Sequence, residues 1–177
     1  MRLRLLLLAL IVPCLLVAGK DKDKDAWKEF APKDGGFVVT MPGTPLERKE
    51  EDLKTPSGPI ELHIFEVERK KEETAYLVIF CELPETVLKN STDEKRLDYA
   101  RKRAVNSSKG KLKSDKKIKV GDLPGRELQF EVEGKGLVRQ RLFVVKDKLI
   151  QLLVAGPKEK VLSKDADKFL VSFKLKS

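Results

Sequence analysis

The chain holds one histidine, His63, and two cysteines, Cys14 and Cys81. A hydroxyl or thiol nucleophile needs a base within hydrogen-bond reach, most often histidine. His63 lies in a run of alternating residues, Ile60 to Glu68, and Cys81 in the apolar run TAYLVIFCEL. Nothing in their surroundings ties one to the other, and there is no G-x-S-x-G elbow. The commoner fates are a strand histidine and a small buried cysteine. Zinc wants three or four soft or carboxylate ligands at workable spacing, and the set here is too small. Asp21, Asp23 and Asp25 imitate the start of a calcium loop, but Ala26 stands where glycine is needed and Pro32 where the bidentate glutamate belongs. The acidic run Glu47 to Asp52 reads as solvated surface. No carboxylate stands alone in apolar surroundings that would raise its pKa for acid–base work. Gly134-Lys135-Gly136 sits in a hairpin and opens no helix, so it is no phosphate loop. No catalytic, cofactor-binding or metal-ligating residue is assigned.

Positive charge is what stands out. Lysine and arginine outnumber aspartate and glutamate by 37 to 28, for a formal charge of +9. Lys109, Lys111, Lys113, Lys116, Lys117 and Lys119 crowd one short stretch, and Arg101 and Arg103 lie just before it with Lys95, Arg96 and Lys102. Such a patch attracts anionic lipid, anionic polysaccharide or an acidic protein. Nucleic acid is not the expected partner, because the patch lacks aromatics for base stacking. The competing reading is an edge strand whose lysines keep other sheets away.

The elements that would carry this patch follow from periodicity. Leu97, Ala100 and Ala104 recur at helical spacing, with Val105 beside them. Ser91 and Glu94 are spaced as a capping box, and the helix is expected to end near Ser107 to Gly110. Lys111 to Val120 reads as an edge strand. Gly125 to Ala155 reads as a β-meander of three alternating strands. A three-residue loop at Gly134–Gly136 would set Val132 opposite Val138, Leu128 opposite Leu142 and Glu131 opposite Arg139. A second such turn at Lys146–Lys148 would set Val144 opposite Ile150 and Leu142 opposite Leu152, leaving Phe143, Leu149 and Leu153 on the other face.

Upstream, Phe37 to Met41 is a strand, and Pro56-Ser57-Gly58-Pro59 joins Leu46–Thr55 to Ile60–Glu68 as a hairpin. Ala75 to Leu83 is apolar on both faces and belongs inside a sheet covered on both sides. Trp27 and Phe30 are expected to clamp the edge of the core. Downstream, Leu162, Ala166, Phe169, Leu170 and Phe173 mark a second helix with Ser163 as N-cap.

Arg2 and Arg4, the apolar run Leu5 to Val12 and the small exit Val17-Ala18-Gly19 have the layout of a secretory signal peptide. The run is too short for a spanning helix, which needs about 20 residues. Pro13 before Cys14 argues against a lipoprotein signal. The expected organisation is 1–19 signal peptide, 20–26 charged spacer and 27–177 one domain, exported to the periplasm or beyond, with no transmembrane helix once the leader is cleaved. Removal of Arg2 and Arg4 takes the charge from +9 down by two to +7. Cys81 then has no partner for an internal disulfide, so stability must come from packing.

Phe30-Ala31-Pro32 through Gly36-Phe37-Val38-Val39-Thr40-Met41-Pro42-Gly43-Thr44-Pro45 resembles the opening of exported bacterial proteins of the PsbP-like class. The ending, Val154-Ala155-Gly156-Pro157 and then Ala166-Asp167-Lys168-Phe169-Leu170-Val171-Ser172-Phe173, resembles it too, as does the Gly121–Gly125 turn before a Glu-rich strand. The resemblance implies an α+β fold: a twisted, mostly antiparallel sheet of about six to seven strands between two main helices, shared with certain Ran-binding import factors. It also implies an accessory or binding protein rather than an enzyme, and it transfers no functional residue. The leading reading is a non-enzymatic binding domain. A carboxylate-dependent hydrolase and a purely structural envelope protein are the alternatives.

Overall fold

The computed structural model describes residues 26–55, 58–134 and 136–176, with the side chains of 49–55 outside the description. The leader and nearly all of the spacer therefore lie outside the described residues, as do the tip of the Pro56-Ser57 turn and the side chains of most of the charged run after Glu47. Ten strands, β1 (Lys28–Phe30), β2 (Phe37–Met41), β3 (Leu46–Thr55), β4 (Gly58–Arg69), β5 (Thr74–Glu82), β6 (Lys111–Val120), β7 (Leu123–Val132), β8 (Gly136–Val145), β9 (Lys148–Gly156) and β10 (Lys174–Leu175), alternate with four helices. These are α1 (Glu85–Asn90), α2 (Asp93–Ser108), α3 (Lys158–Val161) and α4 (Lys164–Val171). Seven strands form one antiparallel sheet in the order β3-β4-β5-β9-β8-β7-β6, and β1-β2-β10 form a small second sheet. The second sheet, which claims Phe37–Met41, was not foreseen as separate.

Both faces of the large sheet are covered. On one, Leu128, Phe130, Val138, Leu142 and Val144 pack under Leu97 and Ala100 of α2. On the other, Phe65, Tyr76, Val78, Phe80, Phe143, Ile150, Leu152 and Val154 meet Phe37, Val39 and Met41 of β2 and Phe169, Leu170 and Phe173 around α4. Phe143 stacks on Phe173 with centroids 4.4 Å apart, and Phe169 meets Tyr76 edge-on. Trp27 and Phe30 close this core as expected, Trp27 edge-on to Tyr76 and Phe30 against Phe65. Strand β5 is interior, as its apolar pattern required. Tyr76, Val78 and Phe80 are buried, while Leu77 and Ile79 on its other face are only half-buried, so the expected cover is complete on one side alone.

The meander register differs from the expected one at both hairpins. Between β7 and β8, Val132 pairs with Gly136, Phe130 with Val138 and Leu128 with Gln140, a shift of two residues. The hairpin closes at the Val132–Gly136 pair, so Gly136 opens β8 rather than ending the loop, although it does have positive φ (88°). A Cβ there would collide with the Gly156 carbonyl, which is why glycine holds the position. A shift of two keeps the faces but changes the charge partners: Arg139 now opposes Gln129, and Arg141 opposes Glu127.

Between β8 and β9 the difference is one residue. Val145 pairs with Lys148 across a two-residue turn, so Val144 faces Leu149, and Phe143 faces Ile150. Only Lys146 of the two turn residues has positive φ, the pattern of a type II′ hairpin. Phe143 therefore shares its face with Ile150 and Leu152, and Leu149 and Leu153 lie under α2 with Leu142. Such a slip exposes an apolar face when one side is wet. Here the second face is itself partly covered, with Leu149 and Leu153 half-buried against the α2 core, so the slip moves apolar residues from one covered face to another.

Helix α2 starts one residue later than the capping-box spacing suggested. Thr92 is the N-cap and accepts from the Lys95 N–H, 3.4 Å away. Ser91 instead closes the short α1, its hydroxyl donating to the Val87 carbonyl. Arg96 then binds the corner: its guanidinium donates to Ser91 Oγ and to the Leu88 and Ser91 carbonyls and pairs with Asp93. Ser163 caps α4 as expected, accepting from Ala166 N–H. Leu162 is not part of that helix face; it ends α3 and is exposed.

Candidate anion-binding surface

Strand β6 ends the seven-stranded order, so its outer backbone edge has no neighbour among the described strands. A bulge between Leu112 and Ser114 interrupts its pairing with β7, and from Ser114 to Val120 the ladder is regular. The strand alternates half-buried Leu112, Ile118 and Val120 with exposed lysines at 111, 113, 116, 117 and 119. Lys109 lies just before it as the left-handed C-cap of α2, its N–H closing the last helical turn.

The cations expected to act together fall into two groups. Arg101 is paired with Asp115, which also holds Arg126, and Arg126 in turn reaches Asp98 on α2. Lys113 meets Glu131 at 2.7 Å and Lys117 meets Glu94 at 2.6 Å. Those lysines hold the Glu94 and Glu131 carboxyls below the usual range, mainly through the hydrogen bond. Both pairs are on the surface and offer little resistance to a competing anion. Lys109, Lys111, Lys116, Lys119 and Arg103 have no ion pair among the described residues. The patch thus divides: Arg101 clasps α2 to the sheet, and the lysines along the edge stay available.

A cleft of about 440 Å³ opens where the first turns of α2 meet the β6–β7 hairpin, lined by Leu97, Pro124, Gly125 and Ile118 with Glu94, Lys117, Lys119 and Arg126 around them. A second, of about 320 Å³, lies by Glu68, Glu73 and Gly156, where the end of β4 and the start of β5 meet the end of β9.

Sequence reasoning missed one charged cluster entirely. Glu127 is only 9% exposed, and it lies between the Arg139 and Arg141 guanidiniums at 2.9 and 2.7 Å. Arg139 continues to Asp167 on α4, and Arg141 donates to the Leu170 carbonyl. Burial disfavours the Arg139 charge, but Asp167 and Glu127 more than offset it and hold the guanidinium above its ordinary pKa. This acid is locked by cations, lines neither cleft, and ties the sheet to α4. The signal lay in Glu127, Arg139 and Arg141, but finding it required the correct hairpin register.

His63 and Cys81 point away from each other. His63 pairs across with Phe80, stacks on that ring at 4.6 Å and meets Glu61. Cys81, the next residue along β5, faces the opposite side and is buried, which pushes its thiol up to about 11. Among the described residues no helix is long and apolar enough to cross a membrane.

No family model and no curated protein matches this chain. Among solved structures, the solution structure of cyanobacterial PsbP (CyanoP) from Synechocystis sp. PCC 6803 aligns with it at a TM-score of 0.59. The alignment covers 91% of this chain and 98% of that one, at 12% identity. The fold is PsbP-like. The resemblance drawn from the opening and closing segments is thereby upheld at the level of architecture. In this PsbP-like frame the quoted segments are structural: Phe37–Met41 is β2, and Ala166–Phe173 runs through α4 to the Phe173 core contact. At this identity the likeness carries the fold and no residue role.

Proposed function

We propose that this chain is an exported, non-enzymatic accessory domain that binds a protein or an anionic envelope component through β6 and the end of α2. The observation that carries this reading is the set of exposed lysines along one terminal strand, three of which (Lys111, Lys116 and Lys119) have no ion-pair partner in the described fold. A surface of one sign raises the local concentration of an oppositely charged partner and speeds its encounter. The PsbP-like fold supports the accessory reading by analogy, and the leader-like first nineteen residues support export.

The test is capture from envelope extract on the immobilised domain, eluted along a salt gradient and compared with a Lys111→Glu, Lys116→Glu, Lys119→Glu variant. These lysines are chosen because none is used internally, so the variant folds normally. Material retained by the native protein at low salt, released as salt rises and lost in the variant is the expected result. Capture that ignores both salt and the substitutions refutes the basic surface as the contact.

A further inference from the structure

We infer that the cleft between α2 and the β6–β7 hairpin is a docking site for an acidic peptide segment, which seats one apolar side chain between Leu97 and Pro124 and sets flanking carboxylates on Lys117 and Lys119. This rests on the proposed basic-surface reading and narrows it to one partner class and one place.

Three observations converge there. The cleft's walls at Leu97, Pro124 and the Gly125 backbone are apolar, and its volume of about 440 Å³ is at the small end of ligand sites. That leaves room for one apolar side chain together with the peptide backbone on either side of it. The cations around it are not equivalent. Arg126 is held by Asp115 and Asp98 and is neutralised in place, whereas Lys119 has no ion pair among the described residues. Lys117 is held only by Glu94, on the surface, and Glu94 also lines the cleft. An incoming carboxylate would take Glu94's place on Lys117. Finally, the outer lip is β6, a terminal strand with a regular ladder on its inner side from Ser114 to Val120. Its unpaired outer edge offers backbone groups to a polypeptide, which a lipid chain or a polysaccharide cannot use in the same way.

The probe is a fluorescently labelled peptide of acidic residues around one central leucine, titrated at low salt into the intact domain, with leucine-to-serine and acid-to-lysine versions as controls. The native domain is expected to bind the acidic leucine peptide, and Lys119→Glu is expected to weaken it about tenfold or more. Glu94→Gln is expected to tighten it severalfold, because Lys117 is released from its internal competitor. Amide shifts at Ile118 and Gly125 should track the titration, and thermal melts of both variants should match the native protein. Binding that depends on charge but is indifferent to the leucine, with Gly125 unmoved, overturns the cleft and leaves the broader surface standing. Glu94→Gln without effect or with weaker binding also overturns it. No binding of any acidic probe at low salt, by a folded domain, overturns both readings.

Discussion

Cys81 and Tyr76 show what burial does to single groups in this core. The Cys81 thiol rises from an ordinary 9.0 to about 11, and the Tyr76 phenol from 10.0 to about 12, in each case chiefly through desolvation. Each raised group favours the protonated, folded state. Their stabilisation is fully present below the unfolded pKa and is lost as pH climbs through the folded one. Urea midpoints measured across alkaline pH are expected to hold up to about 9 and then fall through about 12, and Cys81→Ala should flatten the lower part of that fall. Native Cys81 should resist a thiol reagent at pH 8 and react at once in urea. Glu127 gives the opposite lesson. Removing one member of a buried charge cluster leaves the rest uncompensated, so Glu127→Ala is expected to cost about 3–5 kcal/mol in chemical denaturation. A loss within experimental error would mean that Arg139 and Arg141 find water or Asp167 instead.

At the scale of elements, the long strands and α2 were legible, whereas the short β1, β10 and α1, the break between α3 and α4, and the strand register were not. Ser163 as N-cap, the end of α2 near Ser108, the edge position of β6 and the interior position of β5 all followed from spacing and side-chain type. Hairpin register did not, because the usual criterion asks which alignment keeps apolar residues on one face. Here Phe143, Ile150 and Leu152 fill one core while Leu142 and the half-buried Leu149 and Leu153 lie toward the other, so apolar residues on both faces leave the choice of register weakly marked in the sequence. The two-residue Lys146-Asp147 turn decided it locally. The candidate surface was readable as a run of lysines, but its division into paired and unpaired members was not, because Glu94 comes from α2 and Glu131 from β7 across a bulged ladder, and neither placement follows from local spacing. The turn glycines give a test of the observed loop. Gly134 and Gly136 both have positive φ, yet a Cβ at Gly134 meets open space while one at Gly136 meets Gly156. Gly134→Ala is expected to cost about 1–2 kcal/mol, the penalty of a left-handed alanine. Gly136→Ala should cost distinctly more, by the same denaturation measurement. Equal losses would show that the close approach of Gly136 to Gly156 is not what holds glycine at that position.

At the scale of the whole molecule, charge is divided by role. The arginines are held by carboxylates: Arg126 by half-buried Asp115 and by Asp98 at the surface, Arg139 by buried Glu127 and by exposed Asp167. Lysines are pushed outward, and along β6 they outnumber the single acid, Asp115, which is itself turned inward onto Arg101 and Arg126. A fold without recognisable chemistry thus presents one edge with a strong sign. Lysine on a terminal strand also discourages other sheets, and the two roles separate in their response to an anion. The most direct test is therefore titration of the native domain with polyglutamate over a range of salt, beside Lys111→Glu, Lys116→Glu, Lys119→Glu and a control carrying Lys33→Glu, Lys70→Glu and Lys160→Glu. Binding that weakens steeply with salt, collapses in the β6 variant and persists in the control is the outcome expected of a contact surface. Equal loss in both variants would show that only overall charge matters, and the β6 edge would be left with the task of keeping other strands away.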